Sequence, residues 1–541
     1  MSDELSALTI AEAARLIGAR RLSPIELTQA VLGRIERLNP VLAAYVTVAA
    51  ERALDDARDA EAEIVAGRHR GPLHGVPVGL KDVFETAGLP TTAHSRILVD
   101  HVPKRDSAVA AALARAGAVL LGKHACHEFA HGGPSFDLPW PPARNPWDPA
   151  RFTGGSSSGS AAAVAAGLAF GAIGTDTGGS VRNPAALCGI AGLKPTYGLV
   201  SRRGVIPNAF TFDHCGPMAR TVEDCAIVLQ SIAGHDAGDP TSSARALPDY
   251  AAALGRGVKG LRIGVIRHFW EDDLPAGEEP ARAVEEALGV LAGLGATLAD
   301  ARMRPLQDYY DVKITIAESE LFAIHQKTLR SRPGDYGADF LARALPACLF
   351  NAYDYVQAQR LRRIMLAEME RLYESFDVLV TAGYYGPAPR LDAHRSIGFW
   401  QKPSITTPFN VTAGPALSLC CGFSGDGLPL ALQVIARPFD EETVLRVGHA
   451  FERETGWHER RASVDAQTVP LAPPPPDEPV GAGVDATTQA MVEALARRAG
   501  LVLDARQFAV LCEAAPYAFA MGRRLRQDLP WDVEMASVFR A

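Results

Sequence analysis

The stretch from residue 151 to residue 200 constrains the fold more than any other part of the chain. It contains Gly154-Gly155-Ser156-Ser157-Ser158-Gly159-Ser160, a run of alanines, and then Gly174-Thr-Asp-Thr-Gly-Gly-Ser180-Val-Arg182. This order predicts a Gly/Ser loop, a helix of small residues, a strand and a second tight turn. Alanine side chains let such a helix pack closely beneath a sheet. A flexible linker, the alternative, does not usually lead into so compact a unit.

The rest of the chain alternates short apolar segments with amphipathic ones. Alternation on this scale predicts an α/β layered domain rather than separate α and β parts. The predicted strands cover residues 76–80, 118–122, 261–266, 377–380, 416–421 and 430–436; the predicted helices include one capped by Asp106, one over 281–294 and one capped by Asp440.

A proline-rich stretch marks a boundary near the C-terminus. Residues 470–479 hold four consecutive prolines, which favour a stiff polyproline II linker. We therefore expect a main domain over residues 1–465, a linker over 466–484 and a small helical module over 485–541.

The module contains two amphipathic segments that Asp485 and Asp504 can cap. About 60 residues cannot easily bury two apolar helix faces alone. We therefore expect the module to dock on its own main domain or on that of a second subunit. The side chains predicted to be buried by docking are Met491, Val492, Leu495, Phe508, Leu511 and Phe519, with Trp531 and Phe539 anchoring the terminal segment.

Charge and composition argue against several classes of protein. The 541 residues include 54 basic and 62 acidic side chains, so nucleic-acid binding through a basic face is not expected. No apolar run approaches the roughly 18 residues of a membrane helix, and the N-terminus does not resemble a signal peptide. We therefore expect a cytoplasmic protein. The eight cysteines form no CxxC pair, and nothing completes the Cys/His cluster around Cys126, so we expect no metal.

Two other interpretations of the first Gly/Ser motif are weaker. Residues 155–159 fit the G-x-S-x-G nucleophile elbow of α/β-hydrolases, but that elbow requires a strand directly before it. Residues 145–153 do not read as a strand. A phosphate-binding loop would need Gly-Lys-Ser/Thr after its glycines, and none follows.

The second turn suggests nucleophilic catalysis. Two glycines at a strand end let backbone N–H groups converge beside the Ser180 hydroxyl, as an oxyanion hole requires. Taken alone, such a turn is more often structural. A nucleophilic serine needs a base, and no histidine lies in either Gly/Ser motif. Lys81, at the end of an apolar strand, could serve if burial lowers its pKa from about 10.4 toward roughly 7–8. By itself Lys81 would more often be a surface or ion-paired residue.

Together these motifs resemble the amidase-signature family of hydrolases. The resemblance extends from about residue 5 to residue 460. It implies a central mixed β-sheet sandwiched by helices, with residues 1–465 as the catalytic domain. The matching segments are Gly79-Leu80-Lys81-Asp82, 154–160, 174–182, Gly192-Leu-Lys-Pro-Thr196, Val200-Ser-Arg-Arg-Gly204, Asn410, Gly414-Pro415, Gly427-Leu-Pro429 and Gln433.

The family's Ser-Ser-Lys triad would then consist of Lys81, Ser156 and Ser180. The resemblance implies that neutral Lys81 takes a proton from Ser156, that Ser156 takes one from Ser180, and that Ser180 forms an acyl-enzyme. No metal or cofactor is required. The oxyanion would be held by the backbone N–H groups of Thr177, Gly178, Gly179 and Ser180.

Substrate contacts are predicted less sharply. Asn183 occupies a position that touches substrate in relatives, and Cys126 one that often lines the pocket, although a buried structural cysteine is an alternative. Residues 381–386 depart from the family pattern, so Tyr384 and Tyr385 are predicted to line the pocket or, alternatively, to lie on the surface. Arg182 is expected to be an ion-pair partner within the motif.

The expected activity is hydrolysis of a small-molecule carboxamide. The alternative is an amidotransferase A-type subunit that releases ammonia from glutamine for a tRNA-binding partner. A non-enzymatic scaffold is disfavoured by the intact triad. The C-terminal module resembles the small helical partner subunits of some amidase-signature enzymes, here fused in cis; a dimerisation tail is the other interpretation, and a homodimer stays open.

Overall fold

An eleven-stranded mixed β-sheet forms the centre of the molecule and is flanked by helices. The computed structural model describes residues 2–470, 472, 484–526 and 528–536. The prediction of an α/β fold with a central mixed sheet is confirmed. In the described part of the chain, no helix is long and apolar enough to cross a membrane.

Thirteen strands are present in the described residues. They are β1 (Tyr45–Val48), β2 (Pro77–Lys81), β3 (Val119–His124), β4 (Arg144–Asn145), β5 (Asp148–Phe152), β6 (Gly171–Asp176), β7 (Ala191–Lys194), β8 (His214–Ala219), β9 (Arg262–Val265), β10 (Thr297–Asp300), β11 (Val378–Ala382), β12 (Ala416–Phe423) and β13 (Pro429–Ile435).

The α-helices of the described residues follow in chain order. They are α1 (Ser2–Leu5), α2 (Ile10–Gly18), α3 (Pro24–Leu42), α4 (Ala50–Val65), α5 (Ala108–Arg115), α6 (Ser158–Ala165), α7 (Arg182–Cys188), α8 (Val222–Ile232), α9 (Tyr250–Ala253), α10 (Glu278–Gly293), α11 (Leu306–Ser331), α12 (Ala338–Ala344), α13 (Ala352–Ser375), α14 (Gly398–Gln401), α15 (Pro408–Val411), α16 (Glu441–Thr455), α17 (Ala486–Arg498) and α18 (Ala505–Leu525).

The strand order of the main sheet is β1-β3-β2-β6-β8-β7-β12-β13-β11-β9-β10. β2 is parallel to both β3 and β6, whereas β6, β8, β7, β12 and β13 pair antiparallel in succession. The register aligns Leu80 of β2 with Ile173 of β6. The ends of these two parallel strands therefore lie side by side, so that Lys81 adjoins the segment leading to Ser180.

Two local expectations from the sequence were wrong. The side chain that caps α5 is Ser107, which accepts from the Ala110 N–H, whereas Asp106 accepts from the Ala87 N–H. Residues 148–152 do form a strand, but β5 pairs with β4 in a separate two-stranded sheet. The G-x-S-x-G motif therefore does not follow a strand of the central sheet.

The close packing of α6 explains why its sequence is restricted to small residues. All its residues except Ala165 are buried. A Cβ at Gly159 would lie only 2.6 Å from the Ala125 backbone nitrogen and would collide with the Ala44 carbonyl oxygen. Glycine at this position therefore lets the helix approach its neighbouring backbone.

The C-terminal module packs against the main domain of the same chain. Asp485 and Asp504 cap α17 and α18, as the sequence predicts. Val492 and Leu511 are completely buried in the same hydrophobic core as the main domain. Helix α18 contacts α11, α12, α13 and α14, together with the 3₁₀ segment Leu345–Leu349.

Charged side chains add to this docking. Both Arg524 and Arg526 reach buried carboxylates of the main domain: Arg524 Nε lies 2.5 Å from Asp311 Oδ2 and Arg526 Nε 3.0 Å from Asp354 Oδ1. Arg360 of α13 donates to the backbone carbonyls of Pro530 and Val533.

Not every predicted anchor is buried. Trp531 has a relative exposure of 103 %, so its predicted anchoring role was wrong; the chain is held there through its backbone carbonyls instead. Met491 is 46 % exposed on α17, so its predicted burial was also wrong. Phe539 and most of the linker lie outside the described residues.

Removal of residues 471–541 is expected to lower the melting temperature and cause aggregation, because it exposes the apolar surface beneath α18. Leu511→Ala should cost about 2–5 kcal/mol of unfolding free energy, as expected for a truncated buried leucine. Trp531→Ala, at a fully exposed position, is the matched control and should leave melting unchanged. Calorimetry and light scattering provide the measurements; unchanged melting of both Leu511→Ala and the truncated protein would contradict a stabilising module.

Candidate active site

The candidate site lies where β2 and β6 end next to each other. Lys81 is the last residue of β2, and the turn 177–181 follows β6. The loop carrying Ser156 leads into α6, and the turn carrying Ser180 leads into α7. The Ser157 N–H donates to the Ser180 carbonyl oxygen at 3.2 Å. The structure thus brings the two Gly/Ser motifs and Lys81 together.

Lys81 is completely buried, and its ammonium nitrogen faces two hydroxyls. Nζ lies 2.7 Å from Ser156 Oγ and 2.7 Å from Thr175 Oγ1. Burial lowers the pKa of Lys81 to about 8, although Cys126, Asp213 and Asp176 oppose this effect. A substantial fraction of Lys81 is therefore neutral near pH 8, as a base requires.

Lys123 shows what a purely structural buried lysine looks like in the same region. Its Nζ lies 3.3 Å from Asp82 Oδ1 and also donates to the Phe84 carbonyl and to Thr91. Lys81 has no carboxylate within ion-pair distance among the described residues. Its hydroxyl partners compensate a positive charge far less than a carboxylate does.

Ser156 is buried, and the backbone around it is fixed by close contacts. The His127 N–H donates to the Ser156 carbonyl oxygen at 3.0 Å. The His127 ring lies against Gly155, where any Cβ would collide with it. Ser180, by contrast, is only partly buried. The arrangement therefore leaves Ser180 accessible while enclosing Ser156 and Lys81.

A buried carboxylate organises the turn that carries Ser180. Asp176 Oδ1 accepts from the Gly179 N–H at 2.8 Å, and Oδ2 accepts from the Val181 N–H at 3.1 Å. Arg182 closes the turn through two contacts of 3.0 Å to the same carboxylate. Arg182 is thus an ion-pair partner within the motif, as expected.

These contacts keep Asp176 ionised. Burial alone would raise its pKa, but the Arg182 guanidinium and the hydrogen bonds from Arg182 and Asn410 hold the pKa well below its usual range. Arg182 also donates to the Thr406 carbonyl and to Gln433 Oε1. One ion pair therefore ties the turn to the segments around residues 406–410 and 433.

The glycines of the turn have distinct roles. Gly179 has a φ of +128°, and a Cβ there would collide with Thr406 Oγ1 and lie 2.6 Å from Asn183 Nδ2. Its N–H is already bonded to Asp176, so it is not free to hold an oxyanion. The N–H groups of Thr177, Gly178 and Ser180 make no hydrogen bond to other described residues.

The predicted substrate contacts lie at different places. Asn183 is beside Gly179, and its buried Oδ1 has no hydrogen-bond partner among the described residues. Cys126 is buried near Lys81, and burial raises the pKa of its thiol to about 12.

Tyr384 and Tyr385 follow β11, and their rings stack on each other with centroids 4.5 Å apart, with Tyr385 exposed. No described contact joins these two rings to the site, so their substrate role stays a prediction.

Several residues that shape the site had no predicted role. Thr175 is the second hydroxyl at Lys81, and Thr406 Oγ1 donates to the Gly178 carbonyl at 2.7 Å. Thr175 lies within the motif 174–182, although no local signal singles out its hydroxyl. No local signal marks Thr406, because it lies 228 residues from Gly178 in sequence.

In the described residues, no group of three or more His, Cys, Asp or Glu is placed to hold a metal ion.

Comparisons with known proteins identify the family and the fold. A family model described as Amidase matches residues 26–445. The A subunit of glutamyl-tRNA(Gln) amidotransferase from Chloroflexus aurantiacus is 41 % identical over 486 residues, covering 85 % of this chain and 99 % of the relative. Peptide amidase from Stenotrophomonas maltophilia superposes with a TM-score of 0.73 at 31 % identity, covering 83 % of this chain and 97 % of that one.

A third similar structure is that of a vestigial protein complex described as revealing the evolutionary origins of an s-triazine catabolic enzyme. It superposes with a TM-score of 0.77 at 31 % identity and covers 84 % of this chain and 100 % of the other. The shared fold thus extends over most of this chain.

Proposed function

Because this chain belongs to the amidase family and is an amide-cleaving enzyme, we propose that it hydrolyses a carboxamide C–N bond with Ser180 as nucleophile. Ser156 and Lys81 act as its proton relay. The observation that carries the proposal is Lys81: a buried lysine, 2.7 Å from the Ser156 hydroxyl, with no carboxylate in ion-pair distance among the described residues.

The reaction has two halves: acylation of Ser180 and hydrolysis of the resulting acyl-enzyme. Neutral Lys81 accepts the Ser156 proton, Ser156 accepts the Ser180 proton, and Ser180 Oγ attacks the amide carbonyl carbon. Free N–H groups of the turn, at Thr177, Gly178 and Ser180, stabilise the resulting oxyanion. The proton returns through Ser156 to the leaving amine as the C–N bond breaks. Water then cleaves the acyl-enzyme ester and releases the carboxylic acid.

Ser180→Ala is expected to lower kcat by about 10⁴-fold or more, because the nucleophile is lost while alanine fits the turn. A fluorophosphonate should label the wild-type protein at Ser180 and leave the variant unlabelled, as read by peptide mass spectrometry. Ser158→Ala is the matched control within the same Gly/Ser motif and should retain labelling and turnover. Labelling of any other residue in the wild-type protein would overturn the assignment.

The rate should depend on the protonation of Lys81. Since the neutral amine is the active form and burial lowers its pKa to about 8, kcat/KM should rise roughly tenfold per pH unit below that value and level off above it. Stopped-time assays between pH 5.5 and 10 give the profile.

Lys81→Ala should lose most activity, and its residual rate should lack this rise. A rise that persists in the variant would place the titrating group elsewhere. Lys194 is the first alternative to examine, since burial lowers its pKa to about 7.

A second candidate function is that of an amidotransferase A-type subunit. It is supported by the 41 % identity to the A subunit of glutamyl-tRNA(Gln) amidotransferase over nearly the whole of that relative. The same three residues would cleave the glutamine side-chain amide. The docked C-terminal module favours the stand-alone hydrolase, since helices of the same chain already occupy the surface formed by α11, α12, α13 and α14.

Ammonia release distinguishes the two functions. We expect the purified chain to release ammonia from small amides other than L-glutamine without an added partner. Coupled glutamate dehydrogenase assays measure the ammonia. Cleavage of glutamine alone, and only after a tRNA-binding partner is added, would support the amidotransferase function instead.

A further inference from the structure

A second lysine lies against the turn that carries Ser180. Lys313 projects from α11, and a Cβ built on Gly178 would lie 3.1 Å from Lys313 Cε and 3.5 Å from Nζ. Gly178 is one of the residues whose free N–H is proposed to hold the acyl oxygen of the substrate. The Lys313 ammonium group therefore lies beside the turn that would hold the scissile carbonyl.

The positive charge of the Lys313 ammonium group is only weakly balanced by neighbouring negative charge. The side chain is largely buried, yet Nζ makes no hydrogen bond to any described residue. The nearest carboxylate oxygen, Glu318 Oε1, is 4.0 Å away, beyond hydrogen-bond distance. The other oxygen of Glu318 lies 3.1 Å from His131 Nε2. An ammonium group offers three donors, so Lys313 can still bind an acceptor.

The neighbouring cation, Arg343, is compensated in a different way. Lys313 Nζ and Arg343 Cζ lie 5.7 and 4.7 Å from the centre of the same ring, Phe399. Arg343 Nε lies 3.0 Å from Asp339 Oδ2. His394 and Ser396 contact the other oxygen of Asp339. Of the two cations, Lys313 is therefore the one whose ion pair is long and makes no hydrogen bond.

The position of Lys313 indicates which part of the substrate it meets. Lys313 lies beside Gly178, whose N–H would hold the carbonyl oxygen of the acyl group, whereas no described contact joins it to Ser156 or Lys81, which would protonate the leaving amine. A group bound by Lys313 should thus belong to the acyl part.

We propose that Lys313 determines specificity by binding a carboxylate carried on the acyl part of the substrate, within a few atoms of the scissile carbonyl. The substrate class would then be the monoamides of dicarboxylic acids and related acidic amides. This inference rests on the proposed hydrolysis at Ser180. A carboxylate is favoured over a neutral acceptor because a buried ammonium gains most from an opposite charge.

Substrate pairs of equal length test the proposal. Succinamate and glutaramate carry the carboxylate, and butyramide and valeramide replace its end by a methyl group. Wild-type kcat/KM should be about 10- to 100-fold higher for the acidic member, as expected for a hydrogen bond to a charged group. Lys313→Met should abolish this preference while leaving turnover of butyramide within a few-fold, and Lys313→Arg should retain part of it.

Two further variants keep the result interpretable. Lys327→Met removes an exposed lysine from the same helix and should behave as wild type. Lys313→Met/Glu318→Gln removes both buried charges, so that a folding defect caused by an isolated Glu318 is relieved. Loss of the preference in this double variant, with normal melting, supports the proposal as well.

Binding can be measured without turnover. Succinate and glutarate, the expected acid products, should bind to Ser180→Ala in calorimetry and lose affinity about 10-fold or more in Ser180→Ala/Lys313→Met. Equal rates for acidic and neutral amides, or equal dicarboxylate binding by both proteins, would overturn the role of Lys313 while leaving hydrolysis at Ser180 intact. If no amide is cleaved but Lys313-dependent binding persists, the proposed function fails and the anion site stands.

Discussion

The ion pair between Asp176 and Arg182 is the interaction on which the site depends. Both side chains are completely buried. Asp176 ends β6 and fixes the backbone of the turn, while Arg182 begins α7 and reaches Thr406, Asn410 and Gln433. Because removal of either charge would leave the other uncompensated in the interior, the pair ties the geometry around Ser180 to the folding of distant segments. The same short stretch of sequence thereby provides both a partly exposed serine, Ser180, and the rigid support around it.

Buried lysines show how environment separates structural from chemical roles. Four of the eight lysines are buried: Lys81, Lys123, Lys194 and Lys313. Lys123 has a carboxylate partner, and Lys194 donates to the carbonyls of Pro195 and Gly414. Lys81 meets only hydroxyls, and Lys313 meets no hydrogen-bond acceptor among the described residues. The extent to which each ammonium is compensated distinguishes lysines that hold the fold together from those left available for a reaction or a ligand.

The sequence predicts the fold well because its strands and helices depend on local patterns. Strands such as β3 and β13 lie within one or two residues of their predicted positions, and the motifs around Ser156 and Ser180 are contiguous. Local sequence patterns could not predict the contacts between residues far apart in the chain. Thr406 and Lys313 reach the turn from more than a hundred residues away. The hydrogen bond from the Gly179 N–H to Asp176 also depends on the final turn geometry, which composition does not specify.

Because α18 belongs to the same chain as the site, its support of the site does not depend on protein concentration. Helix α18 packs on α11, α12 and α14, which carry Lys313, Arg343 and Phe399, and Arg524 binds Asp311 two residues before Lys313. A separate polypeptide supporting those helices would dissociate as its concentration fell. A covalently attached one is present at a fixed ratio of one per site, with an effective concentration set by its linker alone. The wall beside Ser180 is therefore supported equally at any abundance of the protein.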